Sequence, residues 1–201
     1  MSVAGPPPEP LDPDDLALPE EEPMAGFRAT SRGITARFAK PEAAIIRDLV
    51  GQVVELVVAD IPAPGADDLA AMVGISDAAE LPDDPVLARL LPDGYRDDPE
   101  AAREFRRFTE SGLRSAKVES AKLLLQTLPA GGGRVRLSAD EAEAWLRSLN
   151  DVRLALGVRL GVTDDFDGLS EDVLPDDPRY AYIQVYQWLA FLQGSLVAAL
   201  S

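Results

Sequence analysis

Neither histidine nor cysteine occurs in the 201 residues, and the two absences together remove most familiar catalytic constellations. A serine or cysteine triad needs an imidazole to carry the proton, zinc sites draw mainly on thiolate and imidazole, and thiol switches need sulfur. Carboxylate acid/base or metal chemistry, a lysine nucleophile, and binding without chemistry remain. Basic residues are also scarce, 19 against 35 acids, which leaves a net charge of −16. Averaged over the molecule, that charge favours solubility and repels nucleic acid and anionic membranes. Near its start the sequence reads Gly5-Pro6-Pro7-Pro8-Glu9-Pro10 rather than the basic and apolar regions of a secretory signal, so the cytoplasm is the expected compartment. One stretch, Tyr180 to Leu200, is uncharged over a membrane-spanning length. Gln184, Gln187 and Gln193 inside it, and Asp176, Asp177 and Arg179 beside it, favour a buried central helix over a span.

The average charge conceals segregation. The first 27 residues hold seven acids (Glu9, Asp12, Asp14, Asp15, Glu20, Glu21, Glu22) and no base, whereas Arg28, Arg32, Arg37 and Lys40 follow with no acid among them. Residues 1–25 combine clustered proline with acid and few large apolar groups, so an acidic arm that stays disordered is expected there. Residues 26–201 then read as one helical domain. Phe27 to Thr30 and Ile34 to Phe38 alternate apolar and polar around Ser31-Arg32-Gly33, which predicts a β-hairpin. Pro41 suits a first helical turn, and Ala43, Ile45, Ile46, Leu49, Val50, Val53, Val54 and Val57 carry that helix towards Val58. Asp83-Asp84-Pro85, Asp97-Asp98-Pro99 and Asp176-Asp177-Pro178 each offer a capping aspartate and a first-turn proline, and so predict three helix starts. The helix opened by Asp98 is expected to bury Phe105, Phe108, Leu113, Leu123, Leu124 and Leu128 and to stop before Pro129. After a flexible Gly131-Gly132-Gly133 come a short strand, 134–137, and a capping box from Ser138 to Glu141. That box opens a helix through Trp145, Leu149, Val152, Leu156 and Leu160. A shorter helix is expected over Asp67–Val73. The fold class is thus mainly α with a small antiparallel β-sheet (α+β): a helical bundle capped by a β-hairpin plus one short strand.

Period-two alternation puts Phe27, Ala29, Ile34, Ala36, Phe38, Val135 and Leu137 on the inner side of the sheet and Arg28, Arg37, Arg134 and Arg136 on the outer side. Planar guanidinium forks suit phosphates and carboxylates. With Arg32 in the hairpin turn, this cluster is the candidate partner or nucleic-acid contact. Its rivals are docking of the chain's own acidic arm and a merely solvated face. On the long helix, bases and acids between Arg103 and Lys122 alternate at i, i+4, as in Arg106 and Glu110, and read as a salt-laced outer face. Thr163 to Pro178 resembles a calcium loop only superficially, because Leu174 stands where glutamate is required. The glycine triplet lacks the Gly-Lys-Ser/Thr of a phosphate loop. No metal and no cofactor are expected, and no enzymatic chemistry. The apolar breadth of the 180–200 helix leaves a homodimer through it as an expectation.

Three stretches carry a resemblance: Leu90-Leu91-Pro92-Asp93-Gly94-Tyr95-Arg96-Asp97-Asp98-Pro99, Glu104-Phe105-Arg106-Arg107-Phe108-Thr109, and Trp145 to Gly157 with Asn150-Asp151-Val152-Arg153 at its centre. In these the chain resembles an actinobacterial family, long catalogued as a domain of unknown function, described as oxidative-stress transcription regulators and encoded beside the ClpS adaptor and cysteine-synthesis genes. The resemblance implies a cytoplasmic, non-enzymatic regulator whose partner is the transcription machinery or another protein, with DNA contact a weaker branch. The gene neighbourhood also implies the alternative of an adaptor or scaffold for Clp-type regulated proteolysis. Redox sensing in the family uses a closely spaced cysteine pair; this sequence has none, so no thiol switch carries over. Asn150, Asp151 and Arg153 match the family pattern and, set among Leu149, Leu154 and Leu156, are expected to form a polar network.

Overall fold

The computed structural model describes residues 26–59, 81–95, 97–162, 173–174 and 177–201. The expected acidic arm, the Asp67–Val73 helix and most of the calcium-like loop lie outside the described residues.

Strand β1 (Arg28–Thr30) turns through Ser31 and Arg32 into β2 (Gly33–Phe38), and β3 (Gly133–Leu137) pairs with the other edge of β2. Both pairings are antiparallel. The third strand therefore joins the hairpin in one sheet. Gly33 and Gly132 make the connections, both at positive φ; a Cβ on Gly33 would meet the Leu137 carbonyl oxygen at 2.5 Å, and one on Gly132 the Ala39–Lys40 backbone at 2.7 Å. The Gly132 amide also donates to the Pro129 carbonyl. The triplet is a fixed turn packed on the start of the first helix, not the flexible link that composition alone predicts.

Five helices complete the described fold: α1 (Lys40–Ala59), α2 (Pro85–Leu90), α3 (Pro99–Thr127), α4 (Ala139–Leu160) and α5 (Tyr180–Leu200). Asp84 and Asp98 cap α2 and α3 as their sequences predict, each accepting two amide hydrogens with proline in the first turn. Ser138 and Glu141 close a reciprocal capping box on α4. The third tripeptide behaves differently. Asp177 accepts from the Arg179 amide and guanidinium, while the Tyr180 amide bonds back to the Asp177 carbonyl. Pro178 and Arg179 are thus spent on a tight turn, and α5 starts with no side-chain cap.

Helix α4 is central, in contact with α1, α2, α3, α5 and the sheet. Its Trp145 is fully buried, stacked on Phe38 at 5.7 Å and edge-on to Phe27 at 5.4 Å, with its indole N–H donating to Thr127 Oγ1 at 2.7 Å. A buried aromatic of this kind removes some 150–250 Å² from water, a gross gain of about 4–6 kcal/mol. This cluster fastens the sheet to α4. Helix α5 is long and apolar enough to cross a membrane by length and composition. Its Ile183, Val185, Trp188, Leu189, Leu192 and Leu196 are buried in the bundle, and its Phe191 and Val197 are exposed. Arg47 from α1 donates to the Leu125 and Leu128 carbonyls, meeting the orphan acceptors at the end of α3.

Candidate functional site

Strand register decides which side chains share the outer face. Arg28 stands opposite Thr35, Thr35 opposite Arg136, and Arg37 opposite Arg134. Two rows result, Arg28-Thr35-Arg136 and Arg37-Arg134, with strands about 4.8 Å apart and rows about 7 Å apart. All four guanidinium-bearing residues are exposed. They form no ion pair with any carboxylate among the described residues. Arg32 extends the cluster at the turn, where Thr30 Oγ1 donates to the Gly33 carbonyl and accepts from the Arg32 amide, and exposed Lys40 follows the other end of β2.

The inner side explains why this face is rigid. Ile34, Ala36, Phe38, Val135 and Leu137 are buried against the helices, so a one-residue slip would bury every arginine. Ala29 departs from the expected pattern: it has inward parity but is exposed, because β1 is a three-residue edge strand whose inner side is left uncovered beyond Phe27. Placing Arg37 directly across from Arg134 sets like charges together, which costs a few tenths of a kcal/mol to about 1 kcal/mol. Nothing else among the described residues offsets that repulsion.

Asn150, Asp151 and Arg153 do not form one network; they face two neighbours. Asp151 is buried and receives Lys117 Nζ from α3 at 2.7 Å. Burial pushes its carboxyl up, against the opposing pull of Lys117. Arg153 turns the other way, donating to Gln193 Oε1 and Tyr186 Oη of α5, with its guanidinium 5.0 Å from the Tyr186 ring centre. Gln193 Nε2 then donates to Asn150 Oδ1 at 3.3 Å. Consecutive helical residues are about 100° apart, so neighbours in sequence reach different helices.

The long helix corrects the sequence reading most. Phe105, Phe108 and Leu113, expected inside, are 44%, 58% and 44% exposed, whereas Arg106, Glu110 and Arg114, expected on a solvated face, are 5%, 3% and 5% exposed. Glu110 holds both arginines: Oε2 takes Arg106 Nη1 at 2.8 Å, and Oε1 takes Arg114 Nε and Nη2 at 2.9 and 2.7 Å. Arg106 also reaches the Leu91 carbonyl and Asp93, and Arg114 the Val57 carbonyl at the end of α1. Burial pulls the Arg106 pKa down, but the bonds and charges of Asp93 and Glu110 outweigh it and hold the pKa above the ordinary value. This lock ties α1 and the 91–93 loop to α3. It leaves Tyr95 edge-on to Phe105 at 5.7 Å on the surface. Among the described residues no group of three acids could hold a metal ion.

Comparison with known proteins adds identity to geometry. Residues 24–200 match a family described as a domain of unknown function, DUF2017. The chain is 37% identical over 177 residues to the oxidative stress regulator AosR of Mycobacterium tuberculosis and to that of Mycobacterium bovis, covering 81% of this chain and 79% of each relative. No solved structure matches it.

Proposed function

The chain belongs to the DUF2017 family, and from that premise we propose that it is a cytoplasmic transcription regulator of the oxidative-stress response that acts by binding and not by catalysis. One observation carries the mechanism: a rigid sheet presents four arginines without carboxylate partners among the described residues, in a molecule otherwise strongly acidic. Such a face selects acidic surfaces, because guanidinium forks meet carboxylates two bonds at a time while the surrounding negative charge rejects partners that do not cover the arginines. We assign the contact to an acidic surface of the transcription machinery. With no cysteine in the chain, regulation here does not pass through its own thiols.

Affinity purification from native cells under peroxide stress tests this reading, run with the parent chain and with a variant in which Arg28, Arg37, Arg134 and Arg136 are all serine. RNA polymerase components should co-purify with the parent and be lost with the variant. Recovery of a Clp protease component instead, equally lost in the variant, would replace this reading with that of a proteolysis adaptor. A DNA branch stands on the same arginines, since phosphates fit the same fork. If it operates, log affinity falls against log salt with a slope of about −4 for four phosphates neutralised, and a flat response removes it.

A further inference from the structure

We propose that the N-terminal arm of this same chain docks its carboxylates on the arginine face and competes there with outside anions, a regulation that rests on the reading of that face given above. Phe27 is buried between Phe38 and Trp145, and its amide donates to Ser195 Oγ at 2.9 Å, so the exit point is fixed. Arg28 lies opposite Thr35 in the antiparallel ladder. The paired ladder ends there, and Gly26, two residues upstream, lies against Ser195 of α5, where an added Cβ would come within 2.7 Å of it. The arm departs two residues from Arg28, at the end of the edge strand of the sheet that carries the arginines.

Chain length and charge fit the same surface. Glu20, Glu21 and Glu22 precede Gly26 by four to six residues. At about 3.3 Å per extended residue they reach roughly 13–20 Å, enough to cross rows about 7 Å apart. Asp12, Asp14, Asp15 and Glu9 extend further, and no base interrupts the seven acids. A tether this short gives an effective concentration of the order of millimolar, so even a weak contact is well populated. Docking also neutralises the Arg37–Arg134 repulsion, which nothing else among the described residues does. An outside partner must displace the arm, and it succeeds only if its anionic groups are denser or better placed than those of the arm.

The absence of cysteine makes the test clean, because Ala17→Cys creates a single site for a spin label. With full-length labelled protein, the amide resonances of Arg37, Arg134 and Arg136 should broaden at low salt. They should sharpen at about 0.5 M salt, where screening is short-ranged, and in the exposed-residue variant R37S/R134S, whose fold is checked by circular dichroism. Unbroadened amides, or broadening spread evenly over the surface and indifferent to R37S/R134S, would overturn the proposal. A short DNA duplex is the second probe, compared between the full chain and a chain lacking residues 1–25. Where the full chain binds it, deletion should strengthen binding about threefold or more, and unchanged affinity overturns competition. Localised broadening with no duplex bound by either form supports arm docking and removes the DNA branch of the functional reading alone.

Discussion

Replacing Glu110 by alanine should be the most damaging single change on the surface of α3 that sequence alone reads as solvated. Glu110 is 3% exposed and supplies the acceptor for three guanidinium bonds of 2.7–2.9 Å from two arginines that are each 5% exposed. Its removal leaves Arg106 with Asp93 and the Leu91 carbonyl, and takes the Glu110 carboxylate from Arg114. Breaking a buried pair in this way costs about 3–5 kcal/mol, because the remaining charge stays desolvated. At roughly 2–4 °C per kcal/mol for a domain of this size, the melting temperature should fall by about 6–20 °C. Thermal and urea unfolding followed by circular dichroism measure it, with an unchanged urea slope confirming that only stability moved. A companion variant with Arg106→Met, Glu110→Leu and Arg114→Met should fall between Glu110→Ala and the parent. Exchanging a buried ionic cluster for apolar side chains gains about 1–4 kcal/mol, while the Leu91 and Val57 carbonyls left without donors cost about 1–3 kcal/mol each. A loss below about 1 kcal/mol in Glu110→Ala would show that the cluster is hydrated and is no buried lock.

The same inversion predicts that Phe108→Ser, at 58% exposure, changes stability by no more than about 0.5 kcal/mol; a multi-kcal loss would mean the ring is buried. Ser138→Ala removes the acceptor for the Glu141 amide and should cost about 1 kcal/mol in urea unfolding, whereas no change would deny the capping box. For Asp151, burial raises the folded carboxyl pKa above its unfolded value. The folded state then holds the proton more tightly between the two values. Its contribution is therefore fully present below the unfolded pKa and declines as pH rises through the folded one. Asp151→Asn, which keeps an acceptor for Lys117, should flatten that part of a stability–pH curve, and an unaltered curve contradicts it.

Local signals in the sequence were enough for the helix starts at Asp84, Asp98 and Ser138, since a cap is made by residues within three positions of one another. The outer placement of Arg28, Arg37, Arg134 and Arg136 was equally legible, because a two-residue period leaves one parity for the core once Phe38, Val135 and Leu137 are inside. The burial of α3 was not. Phe105 and Phe108, and Arg106, Glu110 and Arg114, are both stripes at helical spacing, and the choice between them is made by distant acceptors, the carbonyls of Leu91 and Val57 and the carboxylate of Asp93. A stretch of charges at strict four-residue spacing, 106, 110 and 114, was the available hint. Asn150, Asp151 and Arg153 each have a bonded partner, but their division between Lys117 and Gln193 depends on which helices flank α4. Asp177 has the composition of a cap, yet the turn at Pro178–Arg179 uses it first.

The central claim, regulation through the arginine face, is tested most directly by the transcript response to peroxide in cells whose own copy is replaced by the variant with serine at positions 28, 37, 134 and 136, matched to the parent in protein level and fold. The induction supported by the parent chain should be lost. Induction that persists in full with those four side chains gone would contradict it.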